Sequence, residues 1–542
     1  MNVIVIGGVA AGTKVAAKLK RENRDIKVTI ITKSDDISYA GCGLPYYVGD
    51  LIHEREQLIV NTPQKFAKLT GAEVITGTEV VSLNREEKII EAVNCKTNEK
   101  SFYKYDKLVI ASGASPVKPS VEGIELAGVY FMRTPEDAVA LRSAVERGEL
   151  KRAVVAGGGF IGLEIAENLA SKGIKVSVID MAPHILPGFD SEFAEYVENQ
   201  LADRGIMTFT NTALEGIAGE EKVEKVVTSR RAMKADAVIL SLGIRPNTEF
   251  LENTGIERMP NNTVKVNEYL QTNDEDIYAL GDCACVTNRI TKAPHWSPMG
   301  SSANIEGRLV AKNISGGLHV YPGVLGTGVA KLPGLNVGRT GLTEQAAKDA
   351  GYDFVSVITV VDDKAHYYPG ASNFIIKMIA EKETKKLLGI QVAGKGEVDK
   401  IVDIAVTAIT MEATLNQLEH MDLAYAPPFS TAIHPFSHTV NILLNKMDGT
   451  FETMTPMEYK EGKAEGYQII DASMTPSIEG APFINLIDVE GELPDYKKDA
   501  KLLLVCTKGK RAYMLQNRLK YYGYTNTLVL EGGTTFNEVE LF

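Results

Sequence analysis

Cysteine is scarce and scattered. The chain has five (Cys42, Cys95, Cys283, Cys285 and Cys506) in 542 residues, an odd number widely dispersed, which excludes a disulfide scaffold and fits a reducing cytoplasm. Long apolar runs are missing too: none approaches the ~18 residues of a membrane span, so no membrane association is expected. No basic stretch precedes the apolar segment Val3 to Ile6, so no secretory leader is expected. Positive charge is in deficit, with 58 Lys and Arg against 70 Asp and Glu and a net charge of -12, which argues against nonspecific binding to nucleic acid. The pair Cys283 and Cys285 lacks a second Cys/His pair nearby, so both are read as structural and no metal site is expected. At 44% hydrophobic, the chain has what several soluble domains need.

What is present repeats. Asn2 to Gly7 is a continuous apolar strand, Ala10 to Arg21 the helix leaving a glycine loop, and Lys27 to Thr32 a second strand. This is the timing of a βαβ unit in a mostly parallel sheet. A buried strand ends at Ser112 and Gly113, and Pro116 and Pro119 mark an exit. The pattern restarts at Arg152 with a strand, a second glycine loop, a helix through Leu169, and a strand ending at Asp180. A short strand then closes on Gly281-Asp282. Residues 326–445 alternate strand-like runs with a helix near 397–413; Lys446 to Gly466 is polar and reads as a linker; a small α/β unit follows from Tyr467.

The second glycine loop carries Gly157, Gly159 and Gly162, all three positions of GxGxxG, between a strand and a helix. The spacing supplies a tight turn, room for a pyrophosphate and close helix–strand packing, and the helix N-terminus supplies N–H donors. Asp180 ends the next strand, where a carboxylate binds an adenosine ribose and repels a 2′-phosphate; NADH is expected over NADPH. The first loop keeps Gly7 and Gly12 but has Val9 in the middle. Together with Asp282, suited to a ribityl hydroxyl, it reads as a flavin site.

Cys42 lies between Gly41 and Gly43, just before Leu44-Pro45. Flanking glycines admit a flat ring or a substrate sulfur, and a helix start favours a thiolate. With no second cysteine close by, the sulfur must cycle through a mixed disulfide, a persulfide or a sulfenic acid. Cys506 opens a second loop, Cys506 to Arg511, between a strand and a helix, where backbone N–H groups with Lys508, Lys510 and Arg511 favour a reactive sulfur.

These motifs resemble the pyridine nucleotide–disulfide oxidoreductases, and within them the coenzyme A disulfide reductases fused to a rhodanese-like domain. The resemblance rests on Ser38 to Tyr47, the Gly157 loop, Gly281-Asp282, Ala365 to Gly370 and Asp422 to Phe429. It implies an α/β chain with two Rossmann-like domains, one for FAD (1–149 and 266–325) and one for NAD(P)H (150–265). An α+β dimerisation domain (326–445) and a C-terminal rhodanese-like α/β domain (467–542) follow, in a homodimer. It adds Ser112, Gly113 and Ala303 to the cofactor-binding set. Cys42 would carry the mixed disulfide with coenzyme A, while Tyr367 and Tyr425 of the other subunit orient or protonate the leaving thiolate. Lys18 and Arg21, with Ser38 and Tyr39, would hold coenzyme A; Lys14 shares the same helix face.

The implied activity is reduction of coenzyme A disulfide, persulfide or polysulfide by NADH through FAD, with Cys506 accepting sulfur from a small molecule or a protein donor. Related NADH oxidases and peroxidases carry a histidine in the first glycine loop, which here reads Gly7-Gly8-Val9-Ala10-Ala11-Gly12. An oxidase, and a redox sensor or sulfur-relay scaffold without turnover, are the alternatives. Gly41 replaces the asparagine usual before this cysteine, Asp471-Ala472 stands for Asp-Val-Arg, and Ser477 to Pro482 replaces Gly-His-Ile-Pro-Gly. Sulfur transfer, docking and coenzyme A binding all stay open for the last domain.

Overall fold

The computed structural model describes residues 1–541. They form two compact units, one of residues 1–185 and 205–324, the other of 186–204 and 325 onward.

The first unit contains the same architecture twice. One five-stranded sheet runs Ile277–Ala279, Lys107–Ile110, Asn2–Ile6, Lys27–Ile31, Glu73–Ile75, with every pairing parallel. The other runs Met207–Phe209, Lys175–Ile179, Arg152–Ala156, Ala237–Leu240, Val129–Tyr130, again all parallel. The strands are uninterrupted apolar runs because helices and a meander cover both faces. Each half also has a three-stranded antiparallel meander, Thr78–Asn84 to Lys100–Lys104 in one and Leu214–Ala218 to Ala232–Lys234 in the other. Helices Ala10–Glu22 and Phe160–Ser171 leave the two central strands, placing both glycine loops at strand C-terminal ends, where such sheets bind ligands. Val129–Tyr130 joins the second sheet although it precedes the boundary expected at residue 150.

In the second unit an antiparallel sheet runs Gly328–Leu332, Leu335–Gly341, Leu387–Gly394, Asn373–Glu381, Phe354–Asp362. Helix Val398–Thr410 packs on its central strands and helix Pro435–Met447 on its edge strand. Buried Lys377 projects from the sheet to three carboxylates, Asp190 at 2.9 Å, Glu344 at 3.0 Å, and Glu192, anchoring segment 186–204. A buried ammonium needs such company, since desolvating it alone costs several kcal/mol.

The last α/β layer is a parallel sheet ordered Thr453–Met454, Thr527–Leu530, Leu502–Val505, Gln468–Asp471. The linker expected over 446–466 is therefore corrected: it supplies the sheet's first strand and helix Pro456–Lys460. Its polar composition masked Met454 and Tyr459, both buried, and the capping box of Thr455 with Glu458. Glu531, buried at the end of Thr527–Leu530, accepts the Ile358 N–H (2.8 Å), the Thr453 hydroxyl (2.6 Å) and Lys446 Nζ (2.6 Å). It thereby satisfies a backbone donor on edge strand Phe354–Asp362. Among the described residues no helix is long and apolar enough to cross a membrane.

Candidate active site

The two glycine loops are built alike. Gly7 and Gly157 sit at φ +108° and +112°, and a Cβ on either would lie 2.1 Å from a carbonyl oxygen, of Ala111 and Ser241 respectively. Cβ atoms at Gly12 and Gly162 would fall 1.9 and 2.0 Å from the Gly7 and Gly157 carbonyls. These positions let each helix press onto its strand, leaving the helix N-terminus free of a side-chain cap. At the middle position the loops differ: Gly159 faces open space, and Val9 takes that place in the first loop. Asp180 is aimed by two backbone donors, Gly158 N–H at 2.7 Å and Ala182 N–H at 2.8 Å.

The other four residues expected to hold the flavin, Ser112, Gly113, Asp282 and Ala303, belong to the same half of the first unit as that loop. Gly281 adopts φ +72°, and its Cβ would meet those of Ala11 (3.1 Å) and Ala303 (3.7 Å). Asp282 beside it pairs with Arg133 at 2.7 Å. Ser112 donates to the Asn247 carbonyl at 2.7 Å, and Gly113 opens toward Arg133. An uncapped helix start, a Cβ-free cradle and an oriented Asp282 fit a flavin dinucleotide. Arg133, Glu306 and Trp296 were not anticipated. Glu306 accepts the Gly281 N–H (2.7 Å) from the buried face of helix Gly300–Ile314, and Trp296 donates to the Asp282 carbonyl (2.9 Å). Trp296 is the only tryptophan, the one signal that would have drawn attention to it.

Cys42 lies in a single 3-10 turn, Gly41–Gly43, ahead of helix Leu44–Val48. It is exposed, yet protein closes in on enough sides that partial burial raises its thiol pKa. Glu164 and Asp282 push the same way and Arg133 opposes. The expected stabilisation of a thiolate by a helix start is outweighed, since the helix has only five residues and two carboxylates lie near. Nor do both glycines admit a ligand. Gly41 faces open space, but a Cβ on Gly43 would meet Leu58 at 3.0 Å and Ile52 at 3.2 Å. Glu164 accepts the Tyr46 hydroxyl at 3.0 Å; neither residue was singled out from the sequence.

Next to this turn lies a cavity of about 360 Å³, lined among others by Lys14, Arg21, Ser38, Tyr39, Asn61 and Asn304. Lys18, expected with Arg21, is instead ion-paired to Glu22. Ser38 holds a left-handed conformation at φ +51°, fixed by its N–H to the Gly8 carbonyl (2.8 Å) and the Val60 N–H to its own carbonyl (3.0 Å).

In the second unit, Tyr367 and Tyr425 are brought together, both exposed, and the neighbouring Tyr367 raises the Tyr425 pKa. Tyr367 rides on a loop pinned at its base, where Asp363 N–H donates to the Ser372 carbonyl (2.8 Å) and Ser372 N–H to the Asp363 carboxylate (2.7 Å).

Cys506 follows strand Leu502–Val505 and is buried, with the Ala512 N–H 3.4 Å from Sγ. The expectation that the loop cations serve this sulfur is corrected. Lys508 pairs with Asp362 at 2.6 Å, and Arg511 donates to the Ala472 carbonyl (3.3 Å) and Asn485 (3.1 Å). Lys510 starts helix Lys510–Tyr521. Buried Asp471 accepts N–H bonds from Ser477 (2.6 Å), Ser473 (3.0 Å) and Ile478 (3.0 Å). Burial alone would raise its pKa, but these donors hold it below the usual carboxylate range. Cys283 and Cys285 are buried, their thiols directed at backbone carbonyls.

Residues 1–300 match the pyridine nucleotide-disulphide oxidoreductase family, 330–435 its dimerisation domain and 440–535 the rhodanese-like domain. The chain is 36% identical over 443 residues to a coenzyme A-dependent NAD(P)H sulfur oxidoreductase of Pyrococcus abyssi, covering 82% of this chain and 98% of that one. It is 35% identical over 448 residues to an NADH oxidase of Methanocaldococcus jannaschii, covering 82% and 99%. An NAD-dependent persulfide reductase from A. fulgidus superposes with a TM-score of 0.93 at 37% identity, over 99% of this chain and 100% of that one. With its paired glycine loops and a lone cysteine after the first of them, the chain belongs to the pyridine nucleotide-disulphide oxidoreductases and bears a C-terminal rhodanese-like domain.

Proposed function

We propose that this chain reduces coenzyme A disulfide and coenzyme A persulfide or polysulfide with electrons from NADH. The observation that carries the reading is Cys42, exposed near Arg133 and without a partner cysteine, on the segment whose Ser38 and Tyr39 line the 360 Å³ cavity. FAD, when bound, accepts hydride from the nicotinamide and supplies an electron pair to sulfur. Gly7, Gly12, Ser112, Gly113, Asp282 and Ala303 would hold it. Gly157, Gly159 and Gly162 cradle the pyrophosphate of NADH, and Asp180 disfavours a 2′-phosphate there.

The Cys42 thiolate attacks the disulfide of coenzyme A; one coenzyme A leaves with the electron pair of the broken S–S bond, and the other stays on Cys42. Partial burial, then Glu164 and Asp282, raise the Cys42 pKa, and the Arg133 cation is the local group that favours ionisation. Arg21, Ser38, Tyr39 and Lys14 face the cavity that would take the phosphorylated carrier, while Lys18 first has to leave Glu22. Tyr367 and Tyr425, contributed by the second subunit of a homodimer, donate to the leaving sulfur, one hydroxyl steadied by the other. Cys506 takes sulfane sulfur from a small-molecule or protein donor. A cytoplasmic location accords with five free cysteines.

A second reading, NADH oxidase, is favoured by the M. jannaschii relative. NADH oxidation measured in parallel with coenzyme A disulfide, coenzyme A persulfide and oxygen separates the two. We expect Cys42→Ser to abolish both coenzyme A activities, and Cys506→Ser to lower only turnover fed by external sulfur donors. Unchanged coenzyme A disulfide turnover in Cys42→Ser refutes the reading, as does oxygen as the fastest acceptor.

A further inference from the structure

The Cys506 loop carries three cations, and two of them are fastened elsewhere. Arg511 is bound to Ala472 and Asn485 within the rhodanese-like domain. Lys508 reaches out of that domain to Asp362, its Nζ 2.6 Å from the carboxylate. Asp362 ends the edge strand Phe354–Asp362 and immediately precedes the pinned loop bearing Tyr367. Half-buried His438, on helix Pro435–Met447, lies within the field of Asp362 and of Lys510. Burial favours its neutral form, Lys510 reinforces this and Asp362 opposes. At Cys506 itself, the Ala512 N–H lies 3.4 Å from Sγ.

An ammonium paired with a carboxylate presents a dipole to its surroundings, not a full charge, so its help to a nearby anion is largely cancelled. Resting on the reading of Cys506 as a sulfur carrier, we propose that Asp362 is a positioning residue that withholds Lys508 from Cys506, and that Lys508 changes partner when this cysteine becomes anionic. Loading makes an anion. The Cys506 thiolate attacks the outer sulfur of a persulfide donor and the new Sγ–S bond forms. The donor's S–S bond breaks, and its electron pair leaves on the donor thiolate without net oxidation. The negative charge then sits one S–S bond, about 2 Å, beyond Sγ. In a buried loop such a charge needs a cation or more N–H donors. Lys508, two residues along, is the cation whose release also frees a carboxylate at the root of the Tyr367 loop.

The test is the rate of Cys506 alkylation by iodoacetamide in the full-length holoenzyme, read by peptide-resolved mass spectrometry at neutral pH without NADH or coenzyme A. It thus stands or falls separately from the activity proposed above. Asp362→Asn frees Lys508 and is expected to speed alkylation about tenfold through a larger thiolate fraction. Lys508→Met, which leaves the Asp362 carboxylate unopposed, is expected to slow it, and the double variant to return to about the wild-type rate. Lys508→Arg combined with Asp362→Asn keeps the acceleration. A merely structural ion pair predicts that losing either end acts in the same direction. That result, or an unchanged rate in Asp362→Asn, overturns the proposal.

Discussion

The two cysteine loops have opposite geometry. Cys42 stands in a short exposed turn whose flanking Gly41 faces empty space, and its ionisation is set by partial burial first and then by fixed neighbours, Glu164 and Asp282 against Arg133. Cys506 is buried at the mouth of a helix, its loop wedged against the turn after Glu531 and Lys508, two residues on, paired with Asp362. An open sulfur with its charges in place suits a large carried substrate. A closed sulfur whose cation is held away suits a site that answers only to a reagent able to pull that cation back. Reactivity in this chain is thus governed by what surrounds a thiol more than by the loop that bears it.

The contrast is broken most forcefully at the glycines. A Cβ on Gly533 would lie 1.9 Å from the Cys506 carbonyl, and its φ is +53°. Gly533→Ala is therefore expected to cost the rhodanese-like domain about 2–4 kcal/mol, from overpacking and left-handed strain together. Hydrogen-exchange protection of strands Leu502–Val505 and Thr527–Leu530 reads this domain by itself and should fall. Gly41→Ala meets nothing within 4 Å, and protection around Leu44–Val48 should stay as it is. Equal losses at the two positions would erase the distinction between a packed and an open loop.

A smaller effect tests whether Cys42 depends on groups outside its own loop. Tyr425→Phe is expected to lower kcat with coenzyme A disulfide about 100-fold, the scale of losing a positioned proton donor. Because Tyr367 and Tyr425 are neighbours that interact, adding Tyr367→Phe should deepen the loss far less than the product of the two single effects. Full additivity would mean that the hydroxyls act separately.

Legibility in the sequence followed periodicity and spacing. The duplicated βαβ timing gave both parallel sheets, because apolar runs ended by glycine are local signals. The segment 446–466 misled because one buried strand residue, Met454, and one capping box carry its structure within a polar context. Cysteines and glycines announced themselves at both loops, while the groups that tune them did not. Arg133, Glu164, Glu306 and Asp362 come from distant segments and sit on ordinary helices, loops or strand ends, where a single charge looks like a solvated face. Lys508 shows the same limit in reverse: its position beside Cys506 was plain, but its partner lies 146 residues away.

The smallest effect isolates the fixed charges at Cys42. Glu164 raises its pKa through its negative charge, so Glu164→Gln should lower it while keeping an acceptor for the Tyr46 hydroxyl. The thiolate fraction below the pKa then grows, and alkylation of Cys42 in the holoenzyme at neutral pH should quicken about threefold, a shift of under 1 kcal/mol. The two proteins should converge at alkaline pH, where both are fully ionised. Arg133→Met removes the opposing charge and should act with the opposite sign, slowing the reaction at neutral pH and again converging at high pH. Convergence is the discriminating part: a steric change would shift the rate at every pH, whereas a charge acting through ionisation disappears once the proton is gone. If the two substitutions moved Cys42 in the same direction, fixed charge would not be what distinguishes it from Cys506.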